Sequence, residues 1–127
     1  MVTKTGWQVL VLLLALTGFG STAYAANEMG ASFAAAEAGN FDSAVSIWKA
    51  LAEKGDPQAQ FNLGLMYHSG LGLAQSEGEA VKWYKKAAEG GYSAARVYLV
   101  VGYEEGWFGL SRDQQKADYW RDTIGQN

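Results

Sequence analysis

His68 and Ser69 stand side by side in "LGLMYHSGLG" (residues 63–72), and Glu104 and Glu105 are adjacent in "VGYEEGWFGL" (residues 101–110). A histidine beside a hydroxyl suggests an activated nucleophile, and two carboxylates suggest general acid–base work. Spacing argues against both. The two pairs fall in helix-forming sequence, where consecutive side chains diverge by about 100° and cannot converge on one substrate atom. His68 is the only histidine and there is no cysteine, so the nitrogen and sulfur ligands of a metal site are lacking. "GLGLAQ" (residues 70–75) has neither the third glycine of a dinucleotide loop nor the Gly-Lys-Ser/Thr of a phosphate loop. The expectation is a chain with no catalysis, no cofactor and no metal.

The first residues bear on where the chain works. "MVTKTGWQVLVLLLALTGFGSTAYAAN" has one positive charge at Lys4, an apolar run Val9–Leu16 and the small-residue triplet Ala23-Tyr24-Ala25. This is the pattern of a secretory signal peptide cut after Ala25. The apolar run is far shorter than the ~20 residues of a membrane span, so no membrane attachment is expected after cleavage. Residues 1–25 are thus expected as signal peptide and 26–127 as one domain, periplasmic or secreted. That domain keeps all 13 acidic residues against nine basic ones, a formal charge of −4. No basic run exceeds Lys85-Lys86, so nothing offers a nucleic-acid footprint. With no disulfide available, core packing alone must hold the fold.

Internal similarity supplies the architecture. With residues 44–70 placed above 80–106, an offset of 36, Ala44 meets Ala80, Ala52 meets Ala88, Gly55 meets Gly91, Ala59 meets Ala95, Leu63 meets Leu99, Tyr67 meets Tyr103 and Gly70 meets Gly106. One extra residue in "GWFGL" moves the offset to 37, and Ala80 and Trp83 then meet Ala117 and Trp120. Every unit reads as helical. Asp56-Pro57 is an N-cap followed by proline at the first helical position, and Ser76-Glu77-Gly78-Glu79 fits a capping box. Six helices are expected at about 28–38, 41–54, 57–69, 77–90, 93–105 and 113–123. Trp48, Trp83, Tyr84 and Trp120 fall on the second helices and read as core. Gly64 interrupts an otherwise good helix, which implies a very close approach of another helix. The fold class is all-α, a short α/α solenoid of about three hairpins in a right-handed superhelix, with units 28–55, 57–91 and 93–123.

"AQFNLGLMYHSGLGLAQSEGEAVKWYKKAAEGGYSAA" resembles one complete Sel-one-like repeat (SLR), a relative of the tetratricopeptide repeat. Residues 93–123 resemble a degraded copy, with Val100 in place of the packing glycine, and residues 28–55 resemble a tetratricopeptide-type unit turned at "GNFDSA". The resemblance implies an adaptor that binds other proteins, here another exported or envelope protein. It also implies a concave groove lined by Phe33, Phe61, Leu65, His68, Val97, Val101 and Glu104. On this register Phe61, Leu65 and Val101 are expected to be partly exposed, and Leu63, Tyr67 and Leu99 buried. Tyr119, Trp120 and Ile124 on the last helix form a second candidate patch, through which self-association is also conceivable. The alternative function is an accessory factor that binds a small ligand such as a cell-wall peptide or glycan fragment.

Overall fold

The computed structural model describes residues 23–126, and the expected signal peptide lies, up to residue 22, outside the described residues. Six helices follow one another: α1 Ala23–Glu37, α2 Phe41–Glu53, α3 Pro57–Ser69, α4 Glu77–Glu89, α5 Ser93–Glu105 and α6 Gln114–Thr123. Consecutive helices pack against one another, so α1–α2, α3–α4 and α5–α6 form three stacked hairpins. The one displaced boundary is at the start of α1, which is already helical at Ala23, the first described residue, and not only from about 28. Alanine is the best helix former, and Ala-Tyr-Ala-Ala at 23–26 continues the helix upstream.

Local chemistry sets the helix starts. The Asn40 and Asp56 side chains accept from the backbone N–H of Ser43 (3.3 Å) and Ala59 (2.8 Å), and Ser76 accepts from Glu79 N–H at 3.2 Å. Only half of the capping box forms. The Ser76 N–H donates to the Tyr67 carbonyl at 2.9 Å, and the Glu79 carboxylate accepts from Lys82 at 2.7 Å instead. The same latch recurs one unit later, where Asp113 N–H donates to the Tyr103 carbonyl at 2.8 Å. Each latch ties the cap of a second helix to the end of the first helix of its own hairpin.

Gly64 sits at the crossing of α3 and α4. A Cβ there would lie 2.7 Å from Tyr84 Cε1 and 3.2 Å from the Ala80 carbonyl oxygen. Both neighbours are fully packed, so neither can give way cheaply. In the last unit Val100 occupies the equivalent place and is buried. The tight spot moves to Gly102, where a Cβ would lie 2.7 Å from Leu110 Cδ1 and 3.3 Å from Phe108. There the room serves the hairpin's own loop.

Two devices join unit to unit, and both repeat. Gln60 Nε2 donates to the Ala52 carbonyl at 3.2 Å, and Arg96 Nε to the Ala88 carbonyl at 3.1 Å. Each is a buried first-helix donor that adds a second hydrogen bond to a carbonyl in the last turn of the preceding helix, one that already accepts from the Gly55 or Gly91 N–H. Gly72 and Gly109, both with φ above +70°, press their loops onto Phe41 and Glu77, the first residues of α2 and α4. The Leu71 and Trp107 N–H groups donate to the equivalent Met66 and Gly102 carbonyls (3.3 and 3.1 Å), and Gly109 packs as Gly72 does, so Phe108 between Trp107 and Gly109 is the inserted residue. The core runs along the stack as Met29, Trp48, Phe61, Leu63, Tyr84 and Leu99. Trp83 and Trp120 lie half-buried at its rim.

Candidate interaction surface

The positions expected to line a groove divide by unit. Phe61, Leu65 and His68 on α3 are buried, Phe61 with 2% of its surface exposed. The expected exposure of Phe61 and Leu65 is therefore corrected, and His68 with it. The covering groups come from the next unit. The Phe61 ring centroid lies 5.3 Å from Tyr92 and 5.0 Å from Tyr98, and His68 lies 5.5 Å from Phe108. The register sends these side chains into the seam between stacked units, not into an open groove. Phe33 on α1 is half-buried, edge-on to Trp48 at 5.8 Å. Leu63 and Leu99 are buried as expected, whereas Tyr67 is only half-buried.

Phe108 completes the aromatic seam. It stacks on Tyr98 at 4.8 Å and has φ +58°, a left-handed conformation that a bulky residue rarely adopts. Burial of its ring holds it there. Tyr84 and Tyr98 approach to 5.4 Å, and their buried hydroxyls find no hydrogen-bond partner among the described residues. Burial pushes both phenols above their ordinary titration range, and for Tyr84 the neighbouring Tyr98 adds to the effect.

The same register one unit later gives an open surface. Val97, Val101 and Glu104 are the offset-36 counterparts of Phe61, Leu65 and His68. Val97 is 45% exposed, and Val101 and Glu104 are half-exposed. They lie on one face of α5 at i, i+4 and i+7. Glu104 is ion-paired with Arg121 of α6, which also binds Asp118. Arg121 stands where Tyr84 stands in the middle unit, an offset of 37. A buried tyrosine has become an exposed cation because nothing among the described residues stacks beyond it. Sequence reasoning missed Arg121, although the repeat alignment already paired it with Tyr84.

The second patch is less coherent. Tyr119 is 61% exposed, two residues from the buried Ala117 and so on the far side of α6. Its ring meets the half-buried Trp120 at 5.1 Å. Ile124 is exposed at the C-cap of α6, closer to Arg121 than to Tyr119 around the helix. Among the described residues no three of the possible metal-ligating side chains are grouped to hold an ion.

The Sel1 repeat pattern matches residues 57–92 and 97–120. The crystal structure of a Sel1 repeat protein from Oxalobacter formigenes is similar over 98% of this chain and 82% of its own, with 30% identity and a TM-score of 0.62. The chain belongs to the Sel1 repeat family. A second solved structure, c5321, a protective antigen present in uropathogenic Escherichia coli strains, displays an SLR fold. It matches 97% of this chain and 30% of its own, at 29% identity and a TM-score of 0.61. The mouse DAP3-binding cell death enhancer 1 is 48% identical over 53 residues, 42% of this chain. This chain spans about a tenth of the length of that relative and of its rat counterpart. Sel1 repeat proteins are generally protein–protein interaction modules, and their solenoid is typically a non-catalytic scaffold.

Proposed function

We propose that this Sel1 repeat protein is an exported adaptor with no catalysis of its own, and that it docks another envelope or secreted protein on the α5 face of its last unit. One contrast supports this above all. Val97 is 45% exposed at the repeat position where Phe61 is 2% exposed, so the face carries apolar seam residues without a seam. Val101 and the Glu104–Arg121 pair extend it, giving an apolar strip with a polar rim, the usual layout of a protein docking surface. The N-terminal pattern supports export, with the working chain beginning at Ala26.

The test is crosslinking in the native envelope, followed by mass spectrometry of both the bait and what it captures. The expected result is a bait starting at Ala26 and a specific crosslink that disappears in Val97→Glu/Val101→Glu. Helicity and melting should stay near native, because a charge desolvated against an apolar partner is costly and a charge in water is not. A retained residue 1–25 segment, or a crosslink that survives the double substitution, would contradict the reading.

A further inference from the structure

The open face has been covered twice inside this molecule, and both covers are alike. Over unit one lies α3 with Ala59-Gln60-x-Asn62-Leu63, and over unit two lies α5 with Ala95-Arg96-x-Tyr98-Leu99. In both, the alanine and leucine are buried in the seam and the Gln or Arg reaches back to a carbonyl of the preceding helix. In the second, Tyr98 lies against Tyr84. What fits this face is thus defined by chemistry and spacing, not only by apolarity.

The near end of the stack does not carry that pattern. Ser32 on α1 is fully buried, as Gly64 is on α3, which aligns the two helices at an offset of 32. Residues 59–63 then correspond to Asn27-Glu28-Met29-Gly30-Ala31. Glu28 offers a carboxylate, an acceptor group, where the seam needs a donor, and Gly30 has no ring. A second copy stacked head to tail would set Glu28 where an arginine is needed. Charge makes the same choice on the open side, where among the described residues two carboxylates, Glu104 and Asp118, pair with one cation, Arg121, a net charge of −1. An incoming cation is favoured there.

We propose that the Val97–Val101–Glu104 face is a stacking site for the first helix of a repeat unit on a different chain, one presenting alanine, a buried arginine, tyrosine and leucine at the spacing of Ala95-Arg96-x-Tyr98-Leu99. The proposal rests on the adaptor reading and names the kind of partner.

The pattern can be tested by installing it. The chain with Asn27→Ala, Glu28→Arg, Gly30→Tyr and Ala31→Leu should associate head to tail in sedimentation and light scattering, whereas the unsubstituted chain stays monomeric. Adding Val97→Glu/Val101→Glu should return the variant to monomer. A helical variant that remains monomeric, association that survives the two glutamates, or head-to-tail association of the unsubstituted chain would each overturn the proposal. Should the four substitutions impair folding, a chain extended after residue 126 by a copy of residues 90–123 asks the same question. It should melt in one transition at a higher midpoint, as an added repeat does. An unchanged midpoint, or a separate transition for the added unit, would overturn the proposal. If stacking fails in both designs while the glutamates still abolish the native crosslink, the adaptor reading stands and only the kind of partner falls.

Discussion

Gly64 and the tyrosine beneath it show how a single atom sets the spacing of a hairpin. A methyl group at residue 64 would press on the Tyr84 ring and on the Ala80 carbonyl. Gly64→Leu should therefore destabilise by roughly 1–3 kcal/mol despite its better helix propensity, measured by denaturant unfolding. An unchanged midpoint would place Gly64 away from the α4 crossing. The Tyr84 and Tyr98 hydroxyls make the opposite prediction, because they are buried and without a hydrogen-bond partner among the described residues. Removing an unsatisfied buried hydroxyl returns part of a penalty of about 1–3 kcal/mol, so Tyr84→Phe/Tyr98→Phe should be neutral or stabilising near neutral pH. Burial raises both phenols in the folded state. Stability that is intact below the ordinary phenol pKa of about 10 is then lost as pH rises through it and beyond. The double phenylalanine variant should shift the alkaline unfolding limb upward in a pH series of melts. If that limb does not move, ionisation of these two rings does not drive it.

At the scale of the helix, most of the architecture was legible because caps and turns are local chemistry. Asp56 and Ser76 each mark a start that the structure keeps. The capping box shows the limit of such reading, since the pattern at Ser76–Glu79 fits while the Ser76 N–H is drawn to the Tyr67 carbonyl. Ser76→Ala should then cost about 1 kcal/mol in thermal or urea unfolding. Glu79→Ala should change stability by only a few tenths, because it loses only an exposed pair with Lys82. Equal losses for the two would indicate a reciprocal box after all. Phe108 was not legible as an insertion. The packing of Gly109 on Glu77, together with the Trp107 N–H bonded to the Gly102 carbonyl as Leu71 is to Met66, shows which residue in "GWFGL" is the extra one.

At the scale of the whole molecule, repeat equivalence fixes which positions face a neighbour, but whether a neighbour is there depends on the stack. That is why Phe33, Phe61, Leu65, His68, Val97, Val101 and Glu104 share a register and not a fate. The sequence pattern locates the seam, and burial by Tyr92, Tyr98 and Phe108 turns part of it into core. Among the described residues, packing of the next unit covers this register on α3, and it lies open on α5. One repeat position is thus core in the middle unit, at Phe61, and open surface on α5, at Val97. Thermal unfolding of Phe61→Glu beside Val97→Glu tests it directly. Phe61→Glu should lose at least the roughly 3–5 kcal/mol typical of emptying a buried phenylalanine site, and Val97→Glu should stay within about 0.5 kcal/mol of the parent. Similar losses for the two would show that the last unit's face is covered, and would contradict the account.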